Sequence, residues 1–159
     1  MPKTFEGKPQ TKSAAVAIVV SRYNQSITGK LLAGAVETLV ANGVPDDRIT
    51  IAWVPGAWEL PVVAARFAGV APYAAVICLG AVIRGETSHD QHINRAVSLQ
   101  LAEMAVRTGA PVLFGLLTCD TLEQAIHRAG GNVGNKGSEC ALAALEMIDL
   151  LAQLPPPQA

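Results

Sequence analysis

Residues 74–89, AAVICLGAVIRGETSH, are the stretch of sequence that decides the fold. An apolar run rich in β-branched residues leads into a turn at Gly85, then to His89, and then to a long segment with helical spacing of its apolar residues. Such a run, bounded by a turn, is typical of a strand buried inside a parallel sheet. The order therefore predicts an α/β fold in which His89 begins a helix beyond the carboxyl end of a strand.

Strands and helices alternate on both sides of this stretch. Apolar runs predict four strands, at 14–20, 48–54, 74–83 and 111–118. Helical spacing predicts five helices. The first is capped by Thr28 and ends at Asn42-Gly43, the second spans 59–68, and the third spans 89–108 and is closed by Gly109. The fourth runs from a cap at Asp120 or Thr121 to Arg128, and the fifth from about Lys136 to Leu151. The alternation predicts a three-layer sandwich, with a four-stranded parallel sheet flanked by helices.

We expect one domain at 14–152, an N-terminal arm at 1–13 and a C-terminal tail at 153–159. The arm is expected either to be flexible or to add an edge strand to a neighbouring subunit. Only 16% of the 159 residues are charged, against about 25% in an average protein. So little charge predicts that apolar surface is buried between copies in a homo-oligomer.

Charge and cysteine patterns exclude several classes of protein. The net charge is −1 and no basic block occurs, so we expect no nucleic-acid partner. The apolar runs stop well short of the roughly 20 residues that a membrane span needs, so we expect no membrane partner. A polar start without a signal core and three widely spaced cysteines, Cys78, Cys119 and Cys140, predict a cytoplasmic protein with reduced thiols.

The turn before His89 suits an anion and a proton transfer together. If Thr87 or Ser88 caps the helix, the first backbone N–H groups of that helix remain free for an anion. The helix field disfavours an imidazolium, so we expect a neutral His89 that can accept a proton. We expect the side chain of Glu86 to turn away while the backbone binds. The alternative is that Gly85 makes a tight turn and His89 is an ordinary surface residue.

Three other residues have both a functional and a structural interpretation, and a fourth, Phe114, has a structural one. Tyr23, after the first strand, either stacks on a planar ligand or caps the core. Glu59 either accepts hydrogen bonds from hydroxyl groups or complements the start of a helix. Arg128 either binds phosphate or stabilises the end of a helix. Phe114 lies inside a strand, which favours burial.

Two further patterns are excluded. The glycine-rich stretch 130–136, GGNVGNK, has the wrong spacing for a P-loop, lacks Ser or Thr after the lysine and follows a helix. His92 and His127 have no cysteine or carboxylate at ligand spacing, so no metal site is expected.

Taken together, residues 21–24 (SRYN), 54–61 (VPGAWELP), 80–89 (GAVIRGETSH) and 114–137 resemble the lumazine synthase family in their order and spacing. The resemblance implies a flavodoxin-like fold and a transferase of riboflavin biosynthesis that needs no cofactor. Its implied reaction condenses 5-amino-6-(D-ribitylamino)uracil with 3,4-dihydroxy-2-butanone 4-phosphate to give 6,7-dimethyl-8-ribityllumazine, phosphate and water. It also implies active sites between the subunits of a pentamer and an association with riboflavin synthase, and the compact run 128–137 favours an icosahedral capsid of sixty subunits.

The resemblance also implies the site residues. The pyrimidine and ribityl groups would contact Tyr23, Ala57, Trp58, Glu59, Ala81, Val82 and Ile83. Phosphate binding and proton transfer would use Glu86, Thr87 and His89. An adjacent subunit would supply Phe114 and Arg128, with Lys136 and Glu139 as further contributors near the phosphate.

One position departs from the family pattern. Asp90 follows His89 where the family usually has an aromatic residue, and a nearby carboxylate would favour the protonated imidazole. Two other functions fit parts of the sequence. A flavin- or phosphate-binding protein would bind without turnover, and a shell protein would serve assembly alone.

Overall fold

The computed structural model describes residues 1–11 and 13–158, and its centre is a four-stranded parallel sheet. The strands are β1 (Ala15–Ser21), β2 (Ile49–Val54), β3 (Tyr73–Ile83) and β4 (Val112–Cys119), in the order β2-β1-β3-β4. Every residue of β1 is buried, which agrees with its unbroken apolar sequence. The sheet therefore has β1 and β3 at its centre, with β2 and β4 at its edges.

In the described residues, five α-helices cover the two faces of the sheet. They are α1 (Gln25–Ala41), α2 (Leu60–Ala64), α3 (His89–Thr108), α4 (Leu122–Arg128) and α5 (Lys136–Gln153). Alternate strand residues face opposite layers, as the strand period of two requires. Ile18 and Ile77 pack in the core that includes α1 and α5, whereas Val19 and Cys78 pack in the core that includes α2 and α3. The predicted three-layer sandwich is confirmed.

The start of α1 differs from its prediction. The helix begins at Gln25, with Asn24 at the cap position in the left-handed region (φ 61°). Asn tolerates this conformation better than most residues, so the turn after β1 closes early. Thr28 is therefore not a cap: it lies buried in the second half of the first turn, and its hydroxyl oxygen has no hydrogen-bond partner among the described residues.

Three other elements refine the predicted boundaries. The expected helix at 59–68 is instead a 3-10 turn at Ala57–Glu59 followed by the five-residue α2. After Ala64 the chain continues in hydrogen-bonded turns towards Gly69. Thr121, rather than Asp120, caps α4, accepting a hydrogen bond from the Gln124 amide at 3.2 Å. The glycine-rich interruption forms a small antiparallel hairpin of β5 (Ala129–Gly131) and β6 (Gly134–Asn135).

The described part of the N-terminal arm lies against its own chain. The Lys8 amide donates to Asp149 Oδ2 at 2.8 Å, and Gln153 Nε2 donates to the carbonyl of Glu6 at 2.8 Å. The arm therefore follows the last turns of α5, and its expected pairing with a neighbour stays a prediction. None of the helices in residues 1–11 and 13–158 is long and apolar enough to cross a membrane.

Candidate active site

A cleft of about 950 Å³ lies at the carboxyl end of the sheet, beside the first turn of α3. We call it the main cleft. Three turns, which follow β1, β2 and β3, supply its walls. The structure brings these residues of the implied site together here: Tyr23, Ala57, Trp58, Glu59, Ala81, Val82, Ile83, Thr87 and His89. Carboxyl ends of parallel strands are where α/β folds bind ligands, so the topology accounts for the place.

The end of β3 presents a free backbone edge to the main cleft. Pairing of β3 with β1 ends at Leu79, but pairing with β4 continues to Ile83. Beyond Leu79, the β1 side of β3 thus has no strand partner. The Ala81 carbonyl on that side accepts a hydrogen bond from Asn24 Nδ2 at 2.9 Å. The backbone N–H and C=O groups point to opposite sides in successive residues of a strand. Those of Ile83 therefore point to the same side as those of Ala81, where they can bind a ligand.

Two aromatic rings are exposed at the main cleft. Tyr23 is 73% exposed and Trp58 is 60% exposed. The turn that carries Tyr23 is fixed by its own amide, which donates to the Pro55 carbonyl at 3.0 Å. The interpretation of Tyr23 as a cap on the core is therefore wrong for this chain, since the ring covers little of it. A ring held out from a fixed turn is able to stack on a planar ligand.

Glu59 combines both of its interpretations. Its Oε2 accepts a hydrogen bond from the Gly56 amide at 3.0 Å, which holds the turn before α2. The carboxylate also lines the main cleft, and an ionised carboxylate has further lone pairs on both oxygens. Glu59 can thus support its own loop and still accept a hydrogen bond from a ligand.

The turn before α3 is open to solvent. Ser88 occupies the cap position without a side-chain hydrogen bond, and Thr87 Oγ1 accepts from the His89 amide at 3.4 Å. Gly85 and Thr87 line the main cleft, whereas Glu86 does not. An anion at this turn would meet backbone and hydroxyl groups rather than the Glu86 carboxylate.

Asp90 does not form an ion pair with His89. Within the part of the chain that the structure describes, the one histidine–carboxylate pair within 4.0 Å is His127 with Glu123, at 3.7 Å. Asp90 lines the main cleft, and its Oδ1 is buried without a hydrogen-bond partner among the described residues. Asp90 thus lies beside the main cleft without a direct contact to His89.

A second cleft, of about 320 Å³, lies between β4, α4 and α5, and contains Phe114, Arg128, Lys136 and Glu139. It shares no lining residue with the main cleft. Phe114 is 39% exposed, so the expectation of burial is wrong: β4 is an edge strand, and this side of it is only partly covered. In one chain, the implied site residues other than Glu86 therefore line two separate clefts.

The second cleft is cationic. Arg128 Nη1 donates to the Gln124 carbonyl at 3.2 Å, which places the guanidinium at the end of α4 as the structural interpretation required. Lys136 Nζ lies 3.4 Å from Glu139 Oε2. Among residues 1–11 and 13–158, Arg128 has no carboxylate within 4.0 Å, so its remaining donors are free for an anion.

Cys119 also lines the second cleft. Burial raises the pKa of its thiol above the ordinary 9.0, although the positive charge of Arg128 acts in the opposite direction. The thiol is therefore protonated at neutral pH and is a poor nucleophile. Covalent chemistry through Cys119 is not supported.

The sequence alone assigned no role at the main cleft to His92 and Ile93, which line it, or to Asn24, which supports its wall without lining it. Asn24 ties the first turn to β3 through Ala81, and His92 and Ile93 line the main cleft from α3. The signal for His92 was present, because residues three apart on a helix share a face. The described residues contain no group of three or more His, Cys, Asp or Glu able to hold a metal ion.

Comparison with known protein families gives one match over most of the chain. The model of a family described as 6,7-dimethyl-8-ribityllumazine synthase matches residues 13–152. The matched range includes all the strands and almost all the residues of the five helices.

Proposed function

Since the chain belongs to the 6,7-dimethyl-8-ribityllumazine synthase family, we propose that it condenses 5-amino-6-(D-ribitylamino)uracil with 3,4-dihydroxy-2-butanone 4-phosphate. The family consists of transferases of riboflavin biosynthesis, and this chain is such an enzyme. The products of the proposed reaction are 6,7-dimethyl-8-ribityllumazine, phosphate and water. No cofactor takes part in it.

The main cleft fits the uracil substrate. Its volume of about 950 Å³ lies at the upper end of the range of roughly 300–1,000 Å³ usual for small-molecule sites. In our proposal Tyr23 stacks on the pyrimidine, the backbone of Ala81, Val82 and Ile83 meets its polar edge, and the turn at Ala57, Trp58 and Glu59 holds the ribityl chain. The observation that supports this placement is the free backbone edge of β3 beside an exposed aromatic ring.

The phosphate substrate needs both clefts. We place its phosphate at the turn of Glu86 and Thr87, where backbone groups at the start of α3 favour an anion. Arg128, with Phe114 and Lys136, would come from the adjacent subunit of a pentamer. The observation that carries the whole proposal is this separation, since one chain holds an imidazole cleft and a cation cleft with no residue in common.

The reaction needs protons moved in both directions. The 5-amino nitrogen attacks the ketone carbon, and a proton delivered to the resulting hydroxyl lets it leave as water, giving an imine. A base then takes the proton from the carbon next to the imine, and its electron pair forms a C=C bond as the C–O bond to phosphate breaks. After tautomerisation, the second nitrogen closes the ring with loss of another water. We assign these proton transfers to His89, which lines the main cleft.

Proximity supplies a further part of the rate. Holding two reactants in one pocket with good geometry can lower the activation barrier by about 7–11 kcal/mol. The stacked ring and the fixed phosphate would bring the amine to the ketone without help from a metal or cofactor.

Assembly beyond the pentamer is also part of the proposal. The hairpin β5–β6 keeps the run 128–137 compact, which favours a capsid of sixty subunits. We propose riboflavin synthase as a protein that associates with this capsid. Sedimentation distinguishes the two assemblies, because a 60-mer of this 16.5 kDa chain has about twelve times the mass of a pentamer.

The direct test is to mix the purified protein with both substrates and to follow lumazine fluorescence and released phosphate. The proposal expects one phosphate for each lumazine, and neither product when one substrate is left out. A protein that binds either compound but forms no lumazine would support the binding-protein alternative and overturn the proposal.

A further inference from the structure

A second histidine shares the main cleft with His89. Residues three apart on an α-helix lie on the same face, and both His89 and His92 line the main cleft from the first turn of α3. Gln91, between them, does not line it. His92 is exposed, and its imidazole forms no ion pair within the described part of the chain. Its ring nitrogens are therefore available to a ligand.

We propose that His92 is a second catalytic residue of the condensation, which shares the proton transfers with His89. The inference rests on the proposed function. That reaction gives a proton to a departing hydroxyl group and takes a proton from carbon. A single imidazole must perform these two tasks in turn, whereas two imidazoles hold an acid and a base at the same time.

The charges around the two rings favour this division. When one imidazole in the cleft is protonated, its charge disfavours protonation of the other. The other titratable groups that face the cleft are Tyr23, Glu59 and Asp90. Negative charge on Glu59 and Asp90 attracts an imidazolium in the cleft, although Asp90 Oδ1 itself is buried.

The experiment compares His89→Gln, His92→Gln and the double variant with the wild type, and uses Gln91→Ala as the matched control. Glutamine keeps much of the size and polarity of histidine but does not titrate near neutral pH. The readouts are kcat and KM across the pH range, together with the melting temperature and the sedimentation coefficient.

We expect each single variant to lose about 10²-fold or more in kcat, with both KM values little changed. The wild-type plot of kcat against pH should be bell-shaped, and either single variant should lose one of its two limbs. Gln91→Ala should behave as the wild type.

A His92→Gln protein with wild-type kcat and an unchanged bell would overturn the inference. So would a loss of kcat with both limbs of the profile intact, because His92 would then act only through structure. A wild type that makes no lumazine would instead overturn the proposed function, and this result is seen before any variant is compared.

Discussion

At the scale of the residue, Arg128 is the most informative side chain outside the main cleft. It is a guanidinium at a helix end, exposed in the second cleft and without a carboxylate partner among the described residues. A stabilising role at the end of α4 does not use all five of its N–H donors. These free donors are the basis for the proposal that Arg128 of an adjacent subunit binds the substrate phosphate.

Replacing Arg128 by Ala should therefore raise KM for 3,4-dihydroxy-2-butanone 4-phosphate. Loss of a charge-assisted hydrogen bond costs about 1.5–3 kcal/mol, so KM should rise by roughly 10- to 100-fold while kcat changes less. Steady-state kinetics with the uracil substrate saturating measures this. Arg48→Ala, on the exposed turn before β2, is the matched control and should leave KM unchanged. An unchanged KM in Arg128→Ala would contradict the assignment.

Because Cys78 and Cys140 are buried thiols, the free energy of unfolding should depend on pH in the alkaline range. Burial raises the pKa of Cys78 from 9.0 to about 12 and that of Cys140 from 9.0 to about 11. Above pH 9 the unfolded chain loses these protons while the folded chain keeps them. The free energy of unfolding should therefore fall as pH rises, by about 1.4 kcal/mol per pH unit for each thiol.

The variant Cys78→Ala isolates one of these contributions. It removes a buried side chain, so it should be less stable than the wild type at pH 8. Because it lacks the thiol, the difference in free energy of unfolding should shrink as the pH rises from 9 to 11. Urea titrations at several pH values measure this difference, and a constant difference would show that the Cys78 thiol does not titrate as described.

At the scale of the element, caps decide where the helices begin. Asn135 Oδ1 accepts hydrogen bonds from the amides of Gly137 at 2.8 Å and Ser138 at 3.2 Å, which starts α5. Its Nδ2 donates to the Lys30 carbonyl at 3.0 Å and so ties α5 to α1. A single side chain thus fixes both the start of a helix and its packing partner.

Replacing Asn135 by Ala should lower the free energy of unfolding by about 1–2 kcal/mol, the usual cost of a lost cap. The variant Asn135→Asp is the control, because it keeps the capping oxygen and adds a charge that favours a helix start. Thermal unfolding at one fixed protein concentration compares the two, since assembly also contributes to stability. Equal losses in both variants would mean that the donor to Lys30, rather than the cap, is the important bond.

The same elements show how far sequence reasoning extends. The long periodic segments were predicted well: α3 begins at His89 and ends at Thr108 as expected, with Gly109 in the left-handed conformation after it. The start of α1 was missed because Asn24 is fixed by a partner distant in the chain, the carbonyl of Ala81. The spacing of neighbouring residues in the sequence cannot predict such a long-range contact.

The candidate site was predictable to a similar degree. Turns that follow parallel strands must meet at one end of the sheet, so Tyr23, Glu59 and His89 could be grouped from the prediction of a parallel sheet alone. The exposure of Phe114 could not, because it depends on β4 being an edge strand, and strand order within a sheet is not a local property.

At the scale of the whole molecule, one chain leaves much apolar surface uncovered. On the outer helix α3, Val106 is 86% exposed and Leu99 is exposed as well, and only Val97, Leu101 and Met104 are buried. These two side chains lie seven residues apart, on one face of the helix, and we expect a second copy to cover them. In the proposed pentamer, the second cleft of one subunit would meet the main cleft of its neighbour.

The central claim is that each active site uses two adjacent copies, and mixing of inactive subunits tests it most directly. One variant carries Tyr23→Ala with His89→Ala, which damages the main cleft, and the other carries Phe114→Ala with Arg128→Ala, which damages the second cleft. The two are unfolded together, refolded and assayed at low butanone phosphate, where each alone should be nearly inactive. Random assembly from equal amounts should restore about a quarter of wild-type activity, because each site needs an intact half from both neighbours. A refolded mixture that assembles fully but is no more active than the two variants apart would contradict the shared site.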